Sequence, residues 1–147
     1  MTWHPHITVA TVIEDQGRFL LVEEQADGRA VFNQPAGHLE ADESLLQAAL
    51  RETLEETGWE VELTAVIGIY LYTAPSNGVT YQRVCFAARP LRHHPQRTLD
   101  DGIIGPRWLT RDELLAEQDR WRSHLVLRCI DDYLAGERFP LSLIRVA

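Results

Sequence analysis

The sequence predicts an α/β fold in which a mixed sheet is flanked by helices, and three observations predict it. Short runs rich in β-branched residues recur through the chain, only three segments carry helical periodicity, and the strands do not alternate with helices as repeated βαβ units would require. With 147 residues the chain suits one domain, 1–147, with room for a sizeable core.

Each element has a local reason. His6 to Ile13 is dense in β-branched residues, and the turn Asp15, Gln16, Gly17 leads into an apolar run from Arg18 to Glu23, which together read as a hairpin. After the Asp27–Gly28 turn, Arg29 to Asn33 is short and extended, and Pro35 and Gly37 break any regular pattern. A helix follows from about Ser44 to Thr57: Ser44 with Gln47 three residues on is a capping box, and Gly58 ends it. Val61 to Tyr72 and Val79 to Ala88 are two further strands separated by Pro75 to Gly78. The stretch Val66 to Tyr72 is nearly all apolar and is expected to be a central strand buried on both faces. Arg89 to Gly105, with two prolines, two glycines and the pair His93 and His94, reads as a long loop. Pro106 to Leu109 is a last short strand, Thr110 with Glu113 caps a second helix, and a third covers Ser123 to Ala135. Its apolar face is Val126, Cys129, Ile130 and Tyr133, and Gly136 stops it.

Composition narrows the function. Apolar residues make up 45% and charged residues 24%, so disorder and fibrous classes lose their footing. The 14 Lys and Arg against 22 Asp and Glu leave a net charge of -8, which argues against bulk nucleic-acid binding, since that relies on clustered cations. Phosphate handling is therefore expected to be local and to run through a metal. Cys85 and Cys129 lie far apart with no ligand-like spacing, which reads as two reduced, packed thiols. The beginning of the chain has no signal-peptide character, and no apolar run nears the roughly 20 residues that span a bilayer. A cytoplasmic protein acting on a small phosphorylated molecule, as monomer or homodimer, without nucleic-acid or membrane partners, is the expectation.

The chemistry concentrates between Gly37 and Trp59. On a helix, Glu52, Glu55 and Glu56 fall within an arc of about 100°, so three carboxylates crowd one face. Leu46, Ala49, Leu50, Thr53 and Thr57 occupy the other face and suit packing on the sheet, so the acidic face is expected to lie outside the core. Like charges at this spacing repel. A divalent cation is the simplest compensation, and hard oxygen donors suit Mg²⁺ or Mn²⁺. An arbitrary Glu-x-x-Glu-Glu is usually only a solvated surface; the surrounding residues decide otherwise.

Those residues resemble the Nudix box: Gly, five residues, Glu, seven residues, then Arg-Glu-aliphatic-any-Glu-Glu-any-Gly-aliphatic. Gly37, Glu43, Arg51, Glu52, Glu55, Glu56 and Gly58 supply every fixed residue in register. A chance match in such a chain is on the order of one in a million at average residue usage. Thr53 and Trp59 depart from the two aliphatic positions, which bears on packing more than on catalysis. The resemblance implies an α/β/α sandwich and hydrolysis of a diphosphate or triphosphate by water with Mg²⁺. It also implies that Glu52, Glu55 and Glu56 are metal ligands, with Glu56 or Glu52 as general base. Glu43 and Arg51 would pair to hold the loop on the helix, and Gly37 would permit close backbone approach. A further acidic ligand often comes from a late loop, for which Asp101 is the candidate.

Outside the box, the segments His6 to Ala10, Asn33 to Glu43, Arg107–Trp108, Arg122 to Val126 and Tyr133 to Leu141 are similar to a bacterial subgroup of the family, the NudJ-type phosphatases. His124 departs from it, standing where the subgroup pattern has Pro. That likeness implies release of phosphate from nucleoside tri- and diphosphates and from thiamine-pathway pyrophosphates. Arg29 and Arg83 are the candidates to clamp a phosphate, and Phe32, Tyr72 and Trp3 to stack on a ring; for each, an ordinary surface or core role competes. His4, His6, His93 and His94 lack metal-ligand spacing and read as surface or loop residues. Two other readings stand beside this one: a Nudix hydrolase of ADP-ribose or dinucleoside polyphosphates, and a sensor domain that binds a nucleotide without cleaving it. Retention of all three box carboxylates favours catalysis.

Overall fold

A computed structural model describes residues 2–147. Strand β1 (His6–Asp15) turns through Gln16 and Gly17 into β2 (Arg18–Ala26), with Asp15 opposite Arg18. Both turn residues have positive φ, 52° and 81°, the combination a two-residue hairpin turn needs to follow the right-handed strand twist. Strands β3 (Arg29–Asn33) and β4 (Ala36–His38) follow, then helix α1 (Leu45–Thr57) and the long antiparallel pair β5 (Trp59–Thr73) and β6 (Thr80–His93). The chain closes with β7 (Ile103–Thr110), the short helix α2 (Arg111–Ala116) and helix α3 (Leu125–Leu134).

The seven strands form a mixed sheet of order β3-β2-β1-β6-β5, with β4 pairing β1 and β7 pairing β2. β1 is the organiser. It pairs in parallel with β6 from His6 to Ile13 and antiparallel with β4 from Thr8 to Ala10, and at Glu14 and Asp15 it hands over to β2. Because successive side chains point to opposite faces, its alternate residues feed two cores. Ala10 and Val12 join Cys85, Ala87 and the α3 residues Val126, Cys129 and Ile130 on one side; Val9 and Ile13 join Val84, Phe86 and the α1 residues Ala48 and Ala49 on the other. Helices therefore cover both faces, giving the α/β/α sandwich. Both cysteines are free and buried. No helix is long and apolar enough to cross a membrane among the described residues.

Three expectations change. The loop from Arg89 onward begins later, because β6 continues to His93. Pro90 is accommodated opposite Val61, where the register shifts between Glu60 and Val61 and one ladder donor is dispensable. The apolar stretch Val66 to Tyr72 is not a central strand. β5 lies at the edge of the sheet, and Ile69 and Leu71 are 58% and 71% exposed, so apolar content misreported its place. On α1 the division of faces is also shifted: Leu50 is exposed, whereas Glu56 is buried at 9% exposure together with Thr53 and Thr57. The helix lies against β5, β1, β4 and β7, and its acidic stripe runs under β4, where Gly37 meets Glu52 and Ala36 meets Glu56.

Helix α1 ends where Gly58 adopts φ 75° and donates its N–H to Leu54 O at 2.9 Å. A Cβ at Gly58 would also meet His94 O at 3.0 Å. Gly58→Ala is expected to lower stability by about 1–2 kcal/mol, through left-handed strain and this contact. Urea unfolding measures it, and an unchanged midpoint would refute the role of the cap.

Candidate active site

The site is built on α1 and on the backbone that crosses it. The capping box at Ser44 and Gln47 fixes where the helix starts: Gln47 N–H donates to Ser44 Oγ at 3.1 Å and Ser44 N–H to Gln47 Oε1 at 2.8 Å. Before it, β4 is tied to β1 and brings Gly37 down onto Glu52. A Cβ on Gly37 would stand 2.2 Å from the Glu52 carboxyl carbon, a distance no side chain tolerates. Glycine here is a condition for Glu52 being where it is.

Arg51 organises the carboxylates. Its Nε and Nη2 donate to the two oxygens of Glu43, both at 2.8 Å, Nη1 donates to Glu52 at 2.7 Å and Glu55 at 2.9 Å, and Nη2 also reaches His38 O at 3.1 Å. A guanidinium has five N–H donors. All five are used. The Glu43 carboxyl is pushed down to about 2, chiefly by its hydrogen bonds with Arg51, against some cost of burial and with help from the Glu40 N–H. Glu52 goes the other way: burial raises its pKa, Arg51 opposes, and the charges of Glu55 and Asp100 add to the rise.

Glu56 is the most perturbed acid. Its Oε1 accepts the Ala36 N–H at 2.9 Å. Burial pushes its carboxyl up to about 9; the Ala36 bond works against this, and the charges of Glu52, Glu24 and Asp100 reinforce it. No arginine among the described residues forms an ion pair with it. A buried carboxylate facing further carboxylates needs a cation to ionise near neutral pH.

Among the described residues, no three acidic, imidazole or thiol side chains converge into a closed metal cage, and Arg51 occupies the space between Glu52 and Glu55. The donor set nevertheless suits a hard divalent ion, which is held by one or two carboxylates and completes its shell with water and phosphate oxygens. Glu56 and Glu52 are the residues of that kind, with Glu55 behind them. On the late loop, Asp100 and Asp101 are both exposed; the Asp100 N–H donates to Glu55 O at 3.2 Å, and its charge adds to the rise at Glu52 and Glu56.

From Glu56 and Gly37 a cavity of about 730 Å³ extends across the sheet to Tyr72 and Tyr81. Arg83 lines it at 7% exposure, donating to Gln34 Oε1 at 2.9 Å, Asn33 Oδ1 at 3.1 Å and Cys129 Sγ at 3.7 Å. None of these acceptors is a carboxylate. Gln34 is itself oriented by donating Nε2 to Val126 O at 2.6 Å, which leaves its carbonyl for Arg83. Arg29 stands at the exposed rim, bonded to Asp119 O at 2.6 Å. Of the three aromatic candidates only Tyr72 lines the cavity; Phe32 is fully buried under Arg120, and Trp3 is 70% exposed outside the lining.

Sequence reasoning missed Glu24, paired with Arg122 at 2.6 Å at the cavity wall, and Tyr81. Neither carries a local signal, since strand pairing alone brings them there.

The family model described as the NUDIX domain matches residues 2–129. The chain belongs to the Nudix family. It is 41% identical over 140 residues to "Phosphatase NudJ" of Escherichia coli (strain K12), covering 95% of this chain and 90% of that protein. A solved Nudix hydrolase from Nitrosomonas europaea superposes with a TM-score of 0.96 at 46% identity, over 98% of both chains. A MutT Nudix hydrolase from Burkholderia pseudomallei shares the fold alone, with a TM-score of 0.75 at 20% identity over 88% of this chain and 98% of that one. This Nudix hydrolase is an enzyme, of a family that generally uses divalent metal ions.

A carboxyl raised from 4.5 to about 9 costs folding free energy as pH climbs between those values, because the unfolded chain ionises first. In metal-free protein at pH 8, Glu56→Gln is therefore expected to raise stability by on the order of 1 kcal/mol or more, and near pH 4 to do little. Glu43, held near 2, contributes stability that is present above 4.5 and is lost as pH falls toward 2. Glu43→Gln should lower the neutral-pH melting temperature, opposite in sign, and thermal melts at pH 4 and 8 decide both. Separately, Gly37→Ala must displace Glu52, and should cut kcat on the order of 10²-fold while the fold persists by circular dichroism; wild-type turnover would show that Glu52 is not held for the reaction.

Proposed function

We propose that this Nudix hydrolase removes phosphate from nucleoside tri- and diphosphates in a Mg²⁺-dependent reaction, with Mn²⁺ able to substitute, and that thiamine-pathway pyrophosphates such as hydroxymethylpyrimidine diphosphate belong to its substrate range. The observation that carries the reading is one cavity with opposite ends: an acidic cluster around Glu56 and a nearly buried guanidinium, Arg83, that has no carboxylate partner. A phosphoanhydride satisfies both, its reacting phosphorus beside the acids and its remaining phosphate beside Arg83. The likeness to "Phosphatase NudJ" points the same way.

Glu52, Glu55 and Glu56 would hold the metal, with Asp101 or the adjacent Asp100 as the loop acid. Bound there, a divalent ion lowers the pKa of a water and offsets charge on the leaving phosphate. Water oxygen forms the new bond to the terminal phosphorus, the bridging P–O bond breaks, and its electron pair stays on the departing nucleoside di- or monophosphate, while the attacked phosphorus leaves as orthophosphate. Glu56, which faces the cavity and is oriented by Ala36, takes the water proton, with Glu52 the other candidate base. Arg51 and Glu43 keep the acids in place, and Arg29 and Arg83 hold phosphate oxygens.

Activity is expected to vanish on exhaustive chelation and to return with Mg²⁺ or Mn²⁺. Glu56→Gln should lower kcat roughly 10²-fold or more. A triphosphate should release single orthophosphates in steps. Pyrophosphate and a nucleoside monophosphate as direct products, or far faster internal cleavage of ADP-ribose or a dinucleoside polyphosphate, would overturn the phosphatase reading; full activity without metal would overturn the mechanism.

A further inference from the structure

The sheet face that floors the cavity carries more than Arg83. Strand pairing aligns His38 of β4, Thr8 of β1, Arg83 of β6 and Tyr70 of β5 in one row across the sheet, and His6, Tyr81 and Tyr72 in the next. Residues directly opposite one another share a face. Tyr72 and Tyr81 are such a pair, and both line the cavity, one row beyond Arg83.

Both rings are braced from outside. His124 packs edge-on to Tyr72 with centroids 5.1 Å apart, and His6 and His38 pack edge-on to Tyr81 at 5.7 and 6.1 Å. The Tyr81 hydroxyl accepts from Asn77 Nδ2 at 3.1 Å, while Asn77 Oδ1 accepts the Val79 N–H at 2.9 Å, so the turn before β6 also fixes that ring. Braced aromatic side chains on a cavity floor offer flat apolar area at little entropic cost. From β4, where Ala36 holds Glu56, to β6 is two strand spacings, about 10 Å. A ligand touching both ends is elongated, with its charged part toward the acids and Arg83 and its organic part over the tyrosines.

We propose that Tyr72 and Tyr81 form a shelf for a planar heteroaromatic ring, and that this shelf sets a preference for ring-bearing over ring-less phosphoanhydrides. It rests on the reading that the cavity receives the organic end of a phosphoanhydride. Stacking of a base on an aromatic side chain tolerates different rings, because every ring has a π face. Breadth among bases together with discrimination against ring-less substrates is the consequence.

The test separates binding from turnover. Calorimetric titration of the wild-type protein with a methylene-bridged nucleoside diphosphate analogue and with methylenediphosphonate, both in Mg²⁺, should give affinities roughly 10-fold or more apart in favour of the ringed ligand. Tyr72→Leu with Tyr81→Leu should reduce that ratio by roughly 10-fold, and Tyr72→Phe should keep it, since the ring and not the hydroxyl is used. Equal wild-type affinities for the two ligands would overturn the shelf, whatever the variants do. So would a leucine double variant that melts like wild type and keeps the ratio, or tighter binding of an aliphatic diphosphate analogue than of the ringed one. Because the analogues are not hydrolysed, failure of the phosphatase reading would appear separately, as absence of released phosphate from nucleoside di- and triphosphates.

Discussion

Arg51 is the constraint on which the rest of the acidic site depends. Placed by helical periodicity beside Glu52 and Glu55, it spends every N–H donor on a different demand: two on Glu43, one each on Glu52 and Glu55, and one on the His38 carbonyl. These bonds couple the helix, the loop that precedes it and β4 into one unit. Lysine has three donors and no fork, so it could not meet the same demands. The like-charge repulsion implicit in Glu52, Glu55 and Glu56 is thereby offset for two of the three acids. Glu56 is left without that relief.

The asymmetry has a chemical meaning. Glu43 is held as a committed carboxylate by a guanidinium, and serves as structure. Glu56 is buried against Ala36 and surrounded by other acids, so in the absence of a cation it favours the proton. Two glutamates thirteen residues apart thus differ in proton affinity in opposite directions because one has a basic neighbour and the other has only burial and like charge. Excess negative charge of this kind is relieved by a cation, and the family generally uses divalent ions.

Much of this was legible in the sequence because it is local. Ser44, Gln47 and Gly58 mark the ends of α1 through side chains that cap backbone groups a few residues away, and the register of Gly37, Glu43, Arg51 and the three glutamates depends only on spacing along one loop and one helix. What remained hidden depends on pairing between distant segments. Glu24 and Tyr81 reach the cavity because β2 lies beside β3 and β6 beside β1, which no residue near them announces, whereas Arg83, a candidate from its charge, is carried there by the same β6 pairing. The apolar run Val66 to Tyr72 misled for the same reason: hydrophobicity reports that a strand can be buried, whereas sheet order decides whether a neighbour exists to bury it. Glu56 misled differently, since burial of a carboxylate is disfavoured by general rules and is met here only by the Ala36 N–H.

The division between local and long-range elements follows the division of chemical labour. The acids proposed to face the reacting phosphorus sit on one helix, whose geometry is set by caps, a glycine cradle and Arg51, and so tolerates little change. The residues that line the rest of the cavity sit on strands and turns, where each contributes one side chain through a pairing maintained by backbone bonds indifferent to what that side chain is. Replacing Tyr72, Tyr81 or Asn33 leaves those ladders intact, whereas replacing Gly37 or Arg51 disturbs several carboxylates at once. β1 joins the two halves: it carries β4, and with it Ala36 and Gly37 over the helix, on one edge, and β6 with Arg83 and Tyr81 on the other. A scaffold wired this way can keep its catalytic helix constant while the sheet face changes what it accepts, which is why fold likeness at 20% identity says nothing about the ligand and why the sheet face, more than the box, must be probed to learn it.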